Sequence, residues 1–226
     1  MPCIFVFRRT NASENGRTRD DEGMFFLKKP LIRGMICDFN NIKATIQEEG
    51  LQILIVSYGG SCTNTLLSAL TNNGYTCLTK TYRDILCHCP HYIEIDIPII
   101  YIYDNPIKSL LSMKRRGIPC WGSNQQKMRN NLDVELSDEH LLKCMIHQFH
   151  SFTETQRENV FVIKSCELFE ESIVKKLEHF LQKQLVGFPI TFVKPATDIT
   201  NITDTELRTL FEKYSSEIDA INNHIC

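Results

Sequence analysis

Short apolar runs that alternate with amphipathic helical segments from Leu51 onward predict an α/β domain, with a mostly parallel sheet and helices on both faces. Two runs carry most of this reading. Leu51–Val56 is an apolar strand that passes directly into small and hydroxyl residues and then into a helical pattern. Ile93–Tyr103 is apolar and β-branched, as a strand buried on both faces must be.

The elements follow in order. Ile4–Phe7 suits an edge strand, and residues 10–24, almost without apolar content, suit a mobile loop. Asp38–Glu49 suits a short helix before the first core strand. Residues 1–48 therefore read as an N-terminal extension and 49–226 as the α/β domain. After the Leu51–Val56 strand, Leu66, Leu67 and Leu70 mark a helix that ends at Asn72-Asn73-Gly74 with a glycine cap. Tyr75–Thr79 reads as a short strand. Ile93–Tyr103 ends at Asp104-Asn105-Pro106, where Asn can cap and Pro can take the first helical position of a helix running to Gly117. Ser137 opens a helix with Leu141, Leu142, Met145, Ile146, Phe149 and Phe152 on one face. Val160–Ile163 is a strand, followed by a helix with Ile173, Val174, Leu177, Phe180 and Leu181. Thr203-Asp-Thr-Glu206 reads as a capping box that opens a last helix reaching Ile218.

Composition narrows the function classes. The chain has 226 residues, 42% hydrophobic and 23% charged, with a net charge of −2. That suits one sizeable soluble domain and not a general nucleic-acid binder, which carries a basic excess. No apolar run reaches the roughly 18–20 residues of a membrane span. The Cys3–Phe7 run is too short for a signal-peptide core, and Arg8 and Arg9 follow it. The expected location is cytoplasmic. Ten cysteines are scattered singly and read as free thiols acting as small hydrophobes.

The most informative stretch is Ser57-Tyr58-Gly59-Gly60-Ser61-Cys62-Thr63-Asn64-Thr65, between the first strand and its helix. A strand–loop–helix of this kind aims backbone N–H groups and a helix N-terminus at one spot, which suits a phosphate. No Gly-Lys-Ser/Thr follows at Walker A spacing, so nucleoside triphosphate hydrolysis is disfavoured. The same residues also make an ordinary tight βα turn. In a parallel sheet ligands sit at the carboxyl ends of strands, which places the 57–65 loop and the 104–112 segment in one crevice.

Three segments, in order, resemble the sulfotransferase family, which uses 3′-phosphoadenosine 5′-phosphosulfate (PAPS) as donor. Ser57–Thr65 resembles its 5′-phosphosulfate loop. Tyr101-Ile102-Tyr103-Asp104-Asn105-Pro106, with Ser112 eight residues beyond Asp104, is similar to its 3′-phosphate motif. Val160–Leu168 resembles its later strand and the acidic segment after it. The resemblance covers roughly 50–222. It implies a P-loop-like three-layer α/β/α fold and transfer of a sulfuryl group from PAPS to a hydroxyl or amine acceptor, with no metal. It also implies that Tyr58, Gly59, Gly60, Ser61, Cys62, Thr63, Asn64, Thr65, Asp104 and Ser112 form the nucleotide site. Cys87-His88-Cys89-Pro90 resembles the segment that carries the family's catalytic base, which makes His88 the candidate to take the acceptor's proton, a role suited to imidazole. His88 is equally read as a surface-loop histidine. The chain departs from the family at three loop and strand-end positions. Gly60 stands where the family has a lysine, Cys62 where it has a glycine, and Asp104 where it has a phosphate-binding arginine. These departures motivate an alternative: a catalytically inactive protein that keeps the fold to bind a nucleotide or a partner.

Other constellations are weaker. Cys87-His88-Cys89-Pro90-His91 lacks the second ligand pair a zinc site needs. Lys114-Arg115-Arg116 reads as a solvated helix end facing the helix dipole or as a patch that reaches an anion. Trp121 lines an acceptor pocket or anchors a loop.

Overall fold

The computed structural model describes residues 39–77, 87–117, 137–188, 199 and 202–224. The expected edge strand Ile4–Phe7, the expected mobile loop 10–24 and the segment around Trp121 lie outside the described residues. All of the described residues fall in one unit, Met35–Cys226.

Among the described residues three strands form a parallel sheet in the order β1 (Leu54–Val56), β2 (Ile99–Tyr103), β3 (Val160–Lys164). Leu54 pairs with Ile99, and Tyr103 pairs with Lys164. The alternating side chains separate into two apolar clusters. Ile53, Ile55, Ile100, Ile102 and Ile163 meet Leu66, Leu67 and Leu70 of α2 (Thr63–Asn72) and Ile173 and Leu177 of α5 (Glu171–Leu181). Leu54, Val56, Ile99, Tyr101 and Tyr103 meet the other helices. These are α1 (Phe39–Glu48), α3 (Pro106–Arg115), α4 (Asp138–Thr153), α6 (Thr205–Lys213) and α7 (Ser215–Asn222). The chain is thus an α/β protein with a small parallel sheet. β2 is its buried middle strand, every residue of it inaccessible.

Aromatic packing fastens β2 to α4. Tyr101 stacks on Phe152 with ring centroids 4.6 Å apart, and Tyr103 meets Phe149 edge-on at 5.0 Å. Such pairs add about 0.5–1.5 kcal/mol beyond their buried area.

Several expected helix ends are found. Gly74 has φ 84 just past the Asn73 cap of α2. Asn105 caps α3 by accepting from Lys108 N at 3.1 Å, with Pro106 in the first turn. Ser137 caps α4 by accepting from His140 N at 3.1 Å. Three expectations are corrected. The strand expected over Ile93–Tyr103 covers only Ile99–Tyr103, and the residues before it, with Glu94 and Asp96 exposed, form none. Of the strand expected over Tyr75–Thr79, residues 78–79 lie outside the described residues and 75–77 form none; Gln52 N donates to Thr76 O at 2.9 Å and Gln52 Oε1 accepts from Thr76 N at 3.0 Å. The final helix is two helices, and its N-cap is Asp204, which accepts from Leu207 N at 3.2 Å. The break falls at Tyr214, with φ −111 and ψ 24, and lets the following α7 turn Ile218 and Ile221 into the core.

Carboxylates clamp these last helices to α4. Glu139 accepts from the Tyr214 hydroxyl at 2.6 Å and from Lys213 at 2.9 Å, and pairs with Lys143 at 3.0 Å. These partners, Tyr214 first, pull its carboxyl down from 4.5 to about 2. Lys114 bridges Asp138 at 2.6 Å and Asp204 at 2.8 Å, and its hydrogen bond holds Asp204 below the ordinary carboxylate range. Both lowered groups stabilise the fold above the ordinary carboxylate range, and that contribution is lost as pH falls through their folded values. Melting temperature should therefore drop as pH is lowered from 4.5 toward about 2. Tyr214→Phe should make that drop shallower, as read by thermal melts across the range.

Candidate functional site

The carboxyl ends of the three strands bring together the loop 57–62, the turn at Asp104-Asn105, and Lys164-Ser165. The first two are joined through a buried phenol. The Tyr58 hydroxyl donates to Asp104 O and accepts from Asp104 N at 3.0 Å. Burial pushes the Tyr58 hydroxyl's pKa well up, so it stays a neutral strut. Ser61 Oγ adds a bond to Ile102 O at 3.3 Å.

Gly60 packs directly on α3. A Cβ placed there would lie 3.0 Å from Ser109 Cα and 3.1 Å from Ser109 O. Its φ of 74 is also a conformation that side-chain-bearing residues adopt only with strain. Gly59 and Cys62 share this sign, with φ 95 and 63. Cys62 is the N-cap of α2 and supplies no side-chain cap.

Within the loop Ser57 is the organiser. Its Oγ accepts from Gly59 N at 3.2 Å and is hydrogen-bonded to Thr63 Oγ1 at 2.6 Å. Its main chain is paired with the segment that carries the sequence's candidate base. Ser57 N donates to Cys87 O at 2.8 Å, and His88 Nδ1 lies 2.8 Å from Ser57 O. A carbonyl only accepts, so Nδ1 carries a proton and Nε2 is the basic nitrogen of the neutral ring.

The residues expected from the sequence divide by access. Tyr58, Gly59, Gly60 and Ser61 are buried, while Cys62, Thr63 and Thr65 are half-buried and Asn64 is exposed. Side-chain chemistry at this loop is thus offered by the start of α2, where the first N–H groups of a helix lack intrahelical acceptors. Ser112 is buried, and its hydroxyl accepts from Arg116 Nη2 at 3.3 Å. Asp104 does not cap α3; Asn105 does. The Asp104 carboxylate accepts from Asn105 N at 2.8 Å and from Ser165 Oγ at 2.5 Å, tying the end of β2 to the residue after β3. Lys114 is committed to two aspartates, so this end of the Lys114-Arg115-Arg116 run belongs to the clamp.

Sequence reasoning did not single out Asn105, Lys164 or Asn222 as site residues. Lys164 Nζ donates to Asn222 O at 2.5 Å, and Asn105 Nδ2 to Asn222 Oδ1 at 3.0 Å. The rule that ligands gather at strand ends points to Lys164. No local pattern points to Asn222, which arrives from a distant helix.

Comparisons with protein-family models, with curated proteins and with solved structures find no match to this chain. Among the described residues no three His, Cys, Asp or Glu side chains converge as a metal site, and no helix is long and apolar enough to cross a membrane.

The close approach of Gly60 to Ser109 makes a firm expectation. Gly60→Ala should cost about 2 kcal/mol or more, from the left-handed backbone and the contact with α3 together. Gly60→Lys should cost no less. Urea denaturation measures both, and an unchanged midpoint for Gly60→Ala refutes the contact.

Proposed function

We propose that this chain is a sulfotransferase-like protein that transfers the sulfuryl group of PAPS to a hydroxyl or amine acceptor. Cys62 carries the reading. It stands where the resembling loop has glycine, and its φ of 63 is the conformation that a glycine serves. The backbone course of the loop thus agrees with the resemblance at a position where the side chain does not. The proposal includes the finer fold, a P-loop-like three-layer α/β/α domain, and a cytoplasmic location.

The residues fit the donor in one half of the site and not in the other. The start of α2 brings the Thr63 and Thr65 hydroxyls, the Asn64 amide and a helix N-terminus toward the 5′-phosphosulfate, while Thr65 N itself donates to Cys62 O at 3.0 Å. PAPS would supply the activated sulfuryl group. His88, held through Nδ1 on Ser57 O, would take the acceptor's proton on Nε2 as the acceptor oxygen or nitrogen bonds to sulfur and the bridging S–O bond breaks. At the expected 3′-phosphate position, the Asp104 carboxylate repels rather than binds. Nor is there a loop lysine to stabilise the transferring group, an interaction of a kind that often contributes most to such a reaction.

Gly60 and Asp104 therefore favour a second reading, in which the protein binds a nucleotide or a partner without catalysis. Gly60 lies so close to Ser109 that a lysine has no place there. The loss is built into the packing of the loop and extends beyond one side chain.

Calorimetric titration with 3′-phosphoadenosine 5′-phosphate, with ATP as comparison, tests the donor site. Micromolar binding that prefers the 3′-phosphorylated nucleotide and weakens about tenfold in Thr63→Ala is the expected result. Absence of binding to either nucleotide removes the donor site and leaves partner binding. Incubation with PAPS and a panel of small phenols and amines then separates the two readings. Nucleotide release that falls in His88→Gln supports transfer, and binding without release supports the inactive form.

A further inference from the structure

We propose a second site, for a phosphate-type oxyanion, at the carboxyl ends of β2 and β3, built from Lys164 Nζ and Asn105 Nδ2 and closed by Asn222. It is independent of whether the 57–65 loop holds a nucleotide.

Both donors are fixed in place by their own surroundings. Asn105 Oδ1 accepts from Lys108 N at 3.1 Å, which turns the amide so that Nδ2 faces out of the helix cap. Lys164 is the last residue of β3, in register with Tyr103, and its main-chain N–H donates to Glu167 Oε2 at 2.8 Å. Its ammonium makes no ion pair among the described residues. It donates to a neutral carbonyl instead, that of Asn222, at 2.5 Å.

One residue satisfies both donors. The main-chain oxygen of Asn222 accepts from Lys164, and its side-chain Oδ1 accepts from Asn105 at 3.0 Å. Two oxygens from one residue, set against a cation and an amide on adjacent strand ends, are what a phosphate would also present. The segment is held a third time by the Tyr103 hydroxyl, which donates to His224 O at 3.3 Å. These acceptors are uncharged. An anion offers Lys164 a hydrogen bond charged on both sides, of the stronger class, and so competes with the segment for the same donors. Asn222–His224 is thus an internal occupant that an oxyanion displaces. The Asp104 and Glu167 carboxylates border the site and oppose the anion, so they set its affinity low and select against dense negative charge.

Titration of the full chain with inorganic phosphate, against chloride at matched ionic strength, tests this in the wild type and four variants, Thr63→Ala among them. The wild type should bind weakly, with amide exchange at 222–224 rising as phosphate is added. Asn222→Ala, which removes the Oδ1 that occupies Asn105 and leaves the main-chain oxygen on Lys164, should bind about threefold more tightly. Asn222→Ala with Lys164→Gln should lose that gain. Tyr103→Phe, which loosens the segment without touching either donor, should show a smaller gain in the same direction. Equal phosphate affinity in the wild type and Asn222→Ala overturns the proposal. So does binding that survives Lys164→Gln, and so does binding that Thr63→Ala abolishes instead, because the anion then sits in the 57–65 loop.

Discussion

The buried Tyr58 hydroxyl, bonded in both directions to the main chain of Asp104, is the interaction on which the carboxyl end of the sheet depends. A phenol without water access must find partners inside the protein. Here it finds them on the neighbouring strand's exit and locks the loop after β1 to the turn after β2. Ser61 on Ile102 and Gly60 against Ser109 presuppose that alignment. β2 suits this central position because it is buried throughout, with isoleucines facing one helix layer and tyrosines the other.

Electrostatics then divides this end of the molecule. The loop after β1 offers hydroxyls, with the His88 imidazole held on its Ser57 carbonyl and the position of the family's lysine, Gly60, closed by packing on α3. The turn after β2 contributes a carboxylate, tied down by an amide and a serine hydroxyl. The end of β3 contributes an ammonium that meets a carbonyl. Positive and negative groups thus occupy adjacent strand ends.

Much of the fold is legible from local pattern, for reasons that particular residues make plain. Asn105-Pro106 and Ser137 announce helix starts because their side chains satisfy N–H groups two or three residues on, a purely local relation. Gly74 announces a helix end because the left-handed conformation suits it. The pattern fails where distant contacts decide. Residues 75–77 are apolar enough for a strand, yet Thr76 pairs with Gln52, ahead of β1. The helical periodicity from Leu207 to Ile218 continues through Tyr214, where the chain breaks as the phenol bonds to Glu139 of α4. At the site, the sequence marked the 57–65 loop and His88, and the structure brings them together through Ser57.

The sequence by itself determined the alternation of strands and helices, their caps and the position of a glycine-rich βα loop, because each is set by contacts within a few residues. Only the tertiary structure decided that Gly60 has no room for a side chain, that Asp104 is spent on Ser165, and that Asn222 covers Lys164 and Asn105. Those facts depend on which residues far apart in the chain meet at the strand ends, and periodicity carries no record of that.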